Sequence, residues 1–65
     1  MQITYQGKST ETSAATVGEF LASSGIGEGE AVVEYNGEIL GAADAAATPL
    51  AEGAELNAYR IVAGG

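Results

Sequence analysis

Cysteine, histidine and tryptophan are absent from this chain, and proline occurs once. Without cysteine no disulfide can staple the fold, no thiolate can act as nucleophile, and the soft ligands of zinc and iron–sulfur sites are missing. Without histidine the usual general base at neutral pH is missing too. Cations are scarce: Lys8 and Arg60 stand against nine acidic residues, a formal net charge of −7. Binding a phosphate backbone requires Lys and Arg to displace counterions, so nucleic acid is excluded as a partner class, and a partner with a basic docking face is favoured. Long apolar runs are also lacking. None approaches the roughly 18–20 residues of a membrane span, and the start, Met1-Gln2-Ile3-Thr4-Tyr5-Gln6, has neither a basic n-region nor an apolar h-region. These absences predict a soluble, cytoplasmic protein with no membrane segment, no metal and no bound cofactor.

What is present is small. The 65 residues suffice for one domain. The hydrophobic fraction of 46% overstates the core, because thirteen of those residues are Ala. The larger apolar set is Met1, Ile3, Tyr5, Val17, Phe20, Leu21, Ile26, Val32, Val33, Tyr35, Ile39, Leu40, Leu50, Leu56, Tyr59, Ile61 and Val62. A domain of this size buries only about 60% of its unfolded surface. Ligand pockets typically occupy roughly 300–1,000 Å³. A deep, enclosed active site is therefore not expected, and a self-contained enzyme is disfavoured.

Met1, Ile3 and Tyr5 alternate with polar residues, the period of a half-buried strand. Gly7-Lys8 reads as a tight turn into a polar return arm over 9–13. Thr16-Val17-Gly18-Glu19 is a capping box, with Thr at the N-cap and Glu three residues on. The spacing of Val17, Phe20, Leu21 and Ser24 predicts a helix over 17–24, ended by Gly25, with Phe20 and Leu21 facing the core. A strand over 30–35 leads to Asn36-Gly37, a strong hairpin signal because a type I′ turn needs positive φ at both central residues. Glu38-Ile39-Leu40 is the short return strand. Residues 41–48 are Ala-rich but too short for a helix stable by itself, so an irregular crossover with about one helical turn is expected before Pro49. A turn at Glu52-Gly53-Ala54 precedes a last strand over 55–61. There Leu56 and Ala58 face the core, and Tyr59 and Ile61 face the other side. The order β-β-α-β-β-turn-β predicts an α+β domain of the β-grasp (ubiquitin-like) architecture. It has a mixed sheet of about five strands, one short helix across one face, and the last strand central beside the first. The domain spans 1–61 and the tail 62–65. A small SH3-like or OB-like barrel fits less well, because the capped helix follows the first hairpin.

Few residues offer chemistry. Gly64 and Gly65 carry no side chain and can be drawn extended into a narrow channel. The reactive group there is the Gly65 carboxylate, which can attack the α-phosphate of ATP and form an acyl-adenylate open to a sulfur nucleophile or an amine. The plain alternative is a frayed end. Glu28 with Glu30, and Glu34 with Glu38, are paired acids without calcium-loop spacing, and read as solvated surface. Gly25-Ile26-Gly27-Glu28-Gly29 follows a helix and lacks the Lys-Ser/Thr ending of a phosphate loop. Tyr59, Ile61 and Val62 form an apolar stripe into the tail, read either as strand packing or as a docking face beside the reactive end.

Taken together, several stretches resemble the thiamine-biosynthesis sulfur carrier family (ThiS-like), ubiquitin-like β-grasp proteins. They are Met1-Gln2-Ile3, Ala15-Thr16-Val17 leading to Phe20-Leu21, and Val33-Glu34-Tyr35-Asn36-Gly37-Glu38-Ile39. Thr48, Leu50, Glu52-Gly53 and the final Gly64-Gly65 complete the set. The resemblance covers nearly the whole chain. It implies that an ATP-dependent adenylating enzyme (E1-like, ThiF-type) activates the Gly65 carboxylate. Sulfur then replaces AMP to leave a thiocarboxylate, and a thiazole synthase (ThiG-type) takes the sulfur into the thiazole of thiamine. The carrier itself is a protein co-substrate and not a catalyst. Many members of the family end in three glycines, whereas Ala63 stands here. Val62-Ala63-Gly64-Gly65 resembles the small subunit of molybdopterin synthase, a sister sulfur carrier. A ubiquitin-like modifier joined to lysines through Gly65 is a further reading, and an inert interaction module another. A modifier would be found attached to other proteins, and an inert module would tolerate loss of Gly65.

Overall fold

The computed structural model describes residues 1–27 and 29–61. Its elements are β1 (Gln2–Tyr5), β2 (Lys8–Glu11), α1 (Val17–Ser23), β3 (Ala31–Tyr35), β4 (Glu38–Leu40), α2 (Ala42–Ala47) and β5 (Glu55–Arg60). The strands form one mixed sheet in the order β2-β1-β5-β3-β4. β5 lies in the middle, parallel to β1 and antiparallel to β3, with Val32 opposite Tyr59 and Val33 opposite Ala58. This is the expected α+β, β-grasp arrangement, with the last strand threaded beside the first.

The turns follow from residues that tolerate positive φ. Asn36 and Gly37 take φ of 50° and 88°, the type I′ pair the sequence announces. The first hairpin turns one residue earlier than Gly7-Lys8: Gln6 and Gly7 are the positive-φ pair, at 53° and 80°, and Lys8 already pairs with Tyr5. Gln6 is held there by its own amide. Its Nε2 donates to the Ala58 carbonyl at 2.7 Å, and its Oε1 accepts from the Ala58 N–H at 3.4 Å.

α1 carries both expected ends. Thr16 Oγ1 accepts from the Glu19 N–H at 3.1 Å, while the Glu19 carboxylate reaches back to the Ala15 N–H at 3.2 Å, one residue before the usual partner. At the other end Gly25 (φ 83°) closes a Schellman motif, with Ile26 N donating to Leu21 O at 2.9 Å and Gly25 N to Ala22 O at 3.1 Å.

Residues 42–47 form a helix of six residues, where the sequence predicts an irregular crossover with a single turn. Tertiary contact supplies what local propensity lacks. Ala45 is buried, and α2 lies so close to α1 that a Cβ at Gly18 would stand 2.8 Å from the Cα of Ala46. Past α2, Thr16 and Pro49 form an antiparallel bridge, and Tyr35 fixes the segment by donating to Pro49 O at 3.1 Å and accepting from Ala51 N at 3.2 Å.

The core lies between α1 and the sheet: Ile3, Val17, Phe20, Leu21, Val33, Leu50, Leu56 and Ala58 with small residues around them. Ile3, Val17 and Leu56 are the largest fully buried side chains. Burial of each stabilises by about 1.5–3 kcal/mol relative to exposure. Tyr5 meets Phe20 edge-on, ring centroids 4.8 Å apart at 73°. Among the described residues packing of the sheet is thus one-sided, and its other face is open.

Candidate docking face and carrier terminus

Strand pleating sorts β5 as the sequence predicts. Leu56 and Ala58 point at α1 and are buried, while Tyr59 and Ile61 are 55% and 57% exposed. The cross-strand register adds two residues that periodicity did not single out. Val32 sits opposite Tyr59, and Ile39 sits opposite Glu34, itself opposite Asn57, so Val32 and Ile39 share the open face with Tyr59 and Ile61. Val32 is 36% and Ile39 64% exposed. Of the five exposed large apolar side chains among the described residues, four therefore lie on this one face. Exposed apolar residues gathered on one face make a candidate docking surface, whereas single exposed apolar residues are ordinary. Val32-Val33 is the reason sequence alone fell short: two adjacent valines leave open which one is buried, and the pairing with β5 decides it.

One acid lies within the patch: Glu34 accepts from Asn57 Nδ2 at 3.1 Å. The adjacent Arg60 points the other way, its Nη2 donating to Gly25 O at 3.4 Å on the α1 side. Ile61, the last described residue, is tied to the sheet through its N–H to Glu30 O at 3.0 Å. Val62, Gly64 and Gly65, and with them the expected tail, lie outside the described residues.

Among the described residues no group of three His, Cys, Asp or Glu could hold a metal ion. Glu30 accepts from Gly27 N, and Glu28 lies outside the described residues. Gly25 and Ile26 serve the end of α1. No helix among the described residues is long and apolar enough to cross a membrane.

On the helix side of the sheet a half-open groove of about 350 Å³ runs between α1, α2 and the start of β3. Its size is larger than the small core suggested, because Gly and Ala on both helices leave the space unfilled. Among the described residues its lining holds one ionisable side chain, Glu19.

The five-stranded mixed sheet with α1 across one face is the β-grasp fold of ubiquitin-like proteins. The sequence model of the ThiS family matches residues 2–65, and the chain belongs to that family. It is also similar to a crystal structure titled thiamine biosynthesis protein (ThiS) from Geobacter metallireducens, with a TM-score of 0.79 and 28% identity over 100% of both chains. Among curated proteins none matches this chain.

Proposed function

We infer that this protein is the sulfur carrier of thiamine thiazole synthesis, loaded and unloaded at the carboxylate of Gly65. The observation that carries the reading is the path of β5. It brings the apolar stripe of Tyr59 and Ile61 to the open face, and four residues further on lies the terminal carboxylate of a ThiS-family chain. Four extended residues span at most about 13–14 Å. A partner seated on the open face therefore has the terminus within reach of a nearby active site. Gly64 and Gly65 place no side chain in the entry channel.

The chemistry belongs to the partners. In an adenylating enzyme (E1-like, ThiF-type) the Gly65 carboxylate oxygen attacks the α-phosphate of ATP, and pyrophosphate leaves. A sulfur nucleophile then attacks the acyl carbon, and AMP leaves. Where that nucleophile is a persulfide, the product is an acyl disulfide, and a thiol reductant cleaves its S–S bond to free the terminal thiocarboxylate and leave a disulfide on the donor. On a thiazole synthase (ThiG-type) the sulfur passes to the acceptor, and an oxygen from the acceptor or from water takes its place so that the carboxylate returns. The carrier supplies the apolar face, a net charge of −7 that favours a basic partner, and the side-chain-free end.

The test is the intact mass of the protein after incubation with a ThiF-type enzyme, ATP and a sulfur donor. The expected result is a gain equal to one oxygen replaced by sulfur, abolished by deletion of Gly65 while the fold is kept. No gain with an enzyme active on another carrier would overturn the reading in favour of a modifier or an inert module. Unfolding of the shortened chain would sink the separation of tail from fold.

A further inference from the structure

The chain has two asparagines, Asn36 and Asn57, and only the first is followed by glycine. In an Asn-Gly pair the backbone nitrogen of the glycine can attack the side-chain amide of the asparagine, because no Cβ on the following residue crowds the approach. Asn36, Gly37 and Glu38 are all exposed, and nothing lies within 4 Å of where a Cβ would stand at Gly37, so water reaches the turn. Asn57 differs on each count. It lies inside β5 and is half-buried, its Nδ2 donates to Glu34, and Ala58 follows it.

The fold holds this reactive pair out of reaction. Asn36 and Gly37 are the central residues of the β3–β4 turn, at φ of 50° and 88°. In a type I′ turn the first central ψ is about +30°, the mirror of type I, which sets the next nitrogen on the far side of the Cα–C bond from Cβ. Ring closure needs that nitrogen on the Cβ side. Two hydrogen bonds to Glu55 keep the residue as it is: Asn36 N donates to Glu55 O at 2.8 Å, and Asn36 Oδ1 accepts from Glu55 N at 2.9 Å. The second also fixes the amide that would be attacked. β4, which closes the turn, is three residues at the edge of the sheet, paired to β3 and anchored by the half-buried Leu40 against the core. Short edge segments with few buried contacts open at a fraction of the free energy of global unfolding.

We propose that Asn36 is a site of intramolecular deamidation, gated by opening of the β3–β4 turn. The Gly37 nitrogen bonds to Asn36 Cγ, the bond from Cγ to the side-chain nitrogen breaks, and the Gly37 proton passes through solvent to the departing nitrogen, which leaves as ammonia. Water then opens the succinimide. Addition of water at Cγ gives aspartate with the chain path unchanged. Addition at the former backbone carbonyl gives isoaspartate, whose backbone runs through Cβ and Cγ and is one atom longer. Either product adds one negative charge. In a two-residue turn the extra atom breaks the pairing of Tyr35 with Glu38 and with it the register that places Ile39 on the open face. This proposal does not depend on what is carried at Gly65.

The experiment is incubation of the full chain at mildly alkaline pH, folded and in guanidinium chloride. Peptide mass mapping follows the gain equal to one NH2 replaced by OH, and an isoaspartyl methyltransferase labels the isoaspartate. The gain is expected at Asn36 and not at Asn57, and about tenfold or more slowly in the folded chain than in the denatured one. Two variants loosen the guard separately. Leu40→Ala weakens the anchoring of β4, and Glu55→Pro removes the N–H bonded to Asn36 Oδ1 at the first position of a strand, where proline is tolerated. Each should speed the reaction of the folded chain severalfold and leave the denatured rate unchanged. Should one variant fail to fold by circular dichroism, the other decides. Equal rates in the folded and denatured chains would overturn the proposal, as would folded variants that react no faster than the parent chain. A gain at Asn57 ahead of Asn36 would overturn the site. The isoaspartyl fraction, isolated by chromatography, is expected to shift the Ile39 methyl signals in NMR, while Asn36→Asp keeps them. Unshifted Ile39 methyls in that fraction would overturn the loss of register.

Discussion

Tyr59 is the central residue of the open face. It stands on the middle strand, has Val32 directly opposite, and keeps 55% of its surface exposed although the same strand buries Leu56 completely. Aromatic residues at the centre of an interface often carry 2 kcal/mol or more of binding free energy. Exchange of an exposed strand residue spans only about 1 kcal/mol in stability. These magnitudes separate the two roles. Tyr59→Asp is expected to lower kcat/KM for adenylation by about tenfold or more, mainly through KM, while urea unfolding shifts by no more than about 1 kcal/mol. Steady-state kinetics with the adenylating enzyme and an unfolding curve on the same sample decide it. Unchanged kinetics would remove Tyr59 from the contact. Ile39→Asp, at the sheet margin, provides the graded comparison and should cost less.

The helices carry a different lesson. Gly18 lies in α1 although glycine there costs about 1 kcal/mol relative to alanine. Propensity alone says that Gly18→Ala stabilises. Packing says otherwise, because the added Cβ would stand 2.8 Å from the Cα of Ala46, a backbone atom that moves only with α2. Overpacking of this kind costs about 1–3 kcal/mol, so the substitution is expected to be net destabilising and to lower the thermal midpoint. A raised midpoint would mean that α2 shifts without penalty. The same contact explains what sequence could and could not reveal. The capping box at Thr16, the Gly25 stop, the Asn36-Gly37 turn and the alternation in β1 and β5 are local chemistry, and each is legible in a few residues. α2 was not legible as a full helix, since its alanines need Gly18 across the gap. The Gln6-Gly7 turn was displaced by one residue because a glutamine at positive φ is held by Ala58 on a distant strand. Tyr59 and Ile61 were legible as exposed from the period of β5. Val32 and Ile39 joined them only once strand pairing was known.

At the scale of the whole molecule the excess of acid acts on two processes with opposite sign. At an ionic strength of about 0.01 M the Debye length is about 30 Å, well beyond the radius of gyration of 11.0 Å, so every charge feels every other. Near 1 M it falls to about 3 Å, and only touching charges interact. A net charge of −7 opposes compaction through self-repulsion. The one ion pair among the described residues joins the Met1 amino group to Glu11, with the Glu11 side chain mostly exposed, and loses little to salt. Added sodium chloride should therefore raise the thermal midpoint. Association with a basic partner face depends on the same field in the other direction, because screening removes the steering that accelerates encounter. The association rate with the adenylating enzyme should fall over the same salt range, while the dissociation rate changes less. Calorimetry of the carrier alone and stopped-flow mixing with the enzyme, across one series of salt concentrations, test both slopes. Slopes of the same sign would mean that the acidic surface serves only solubility and that partner choice rests on the apolar face.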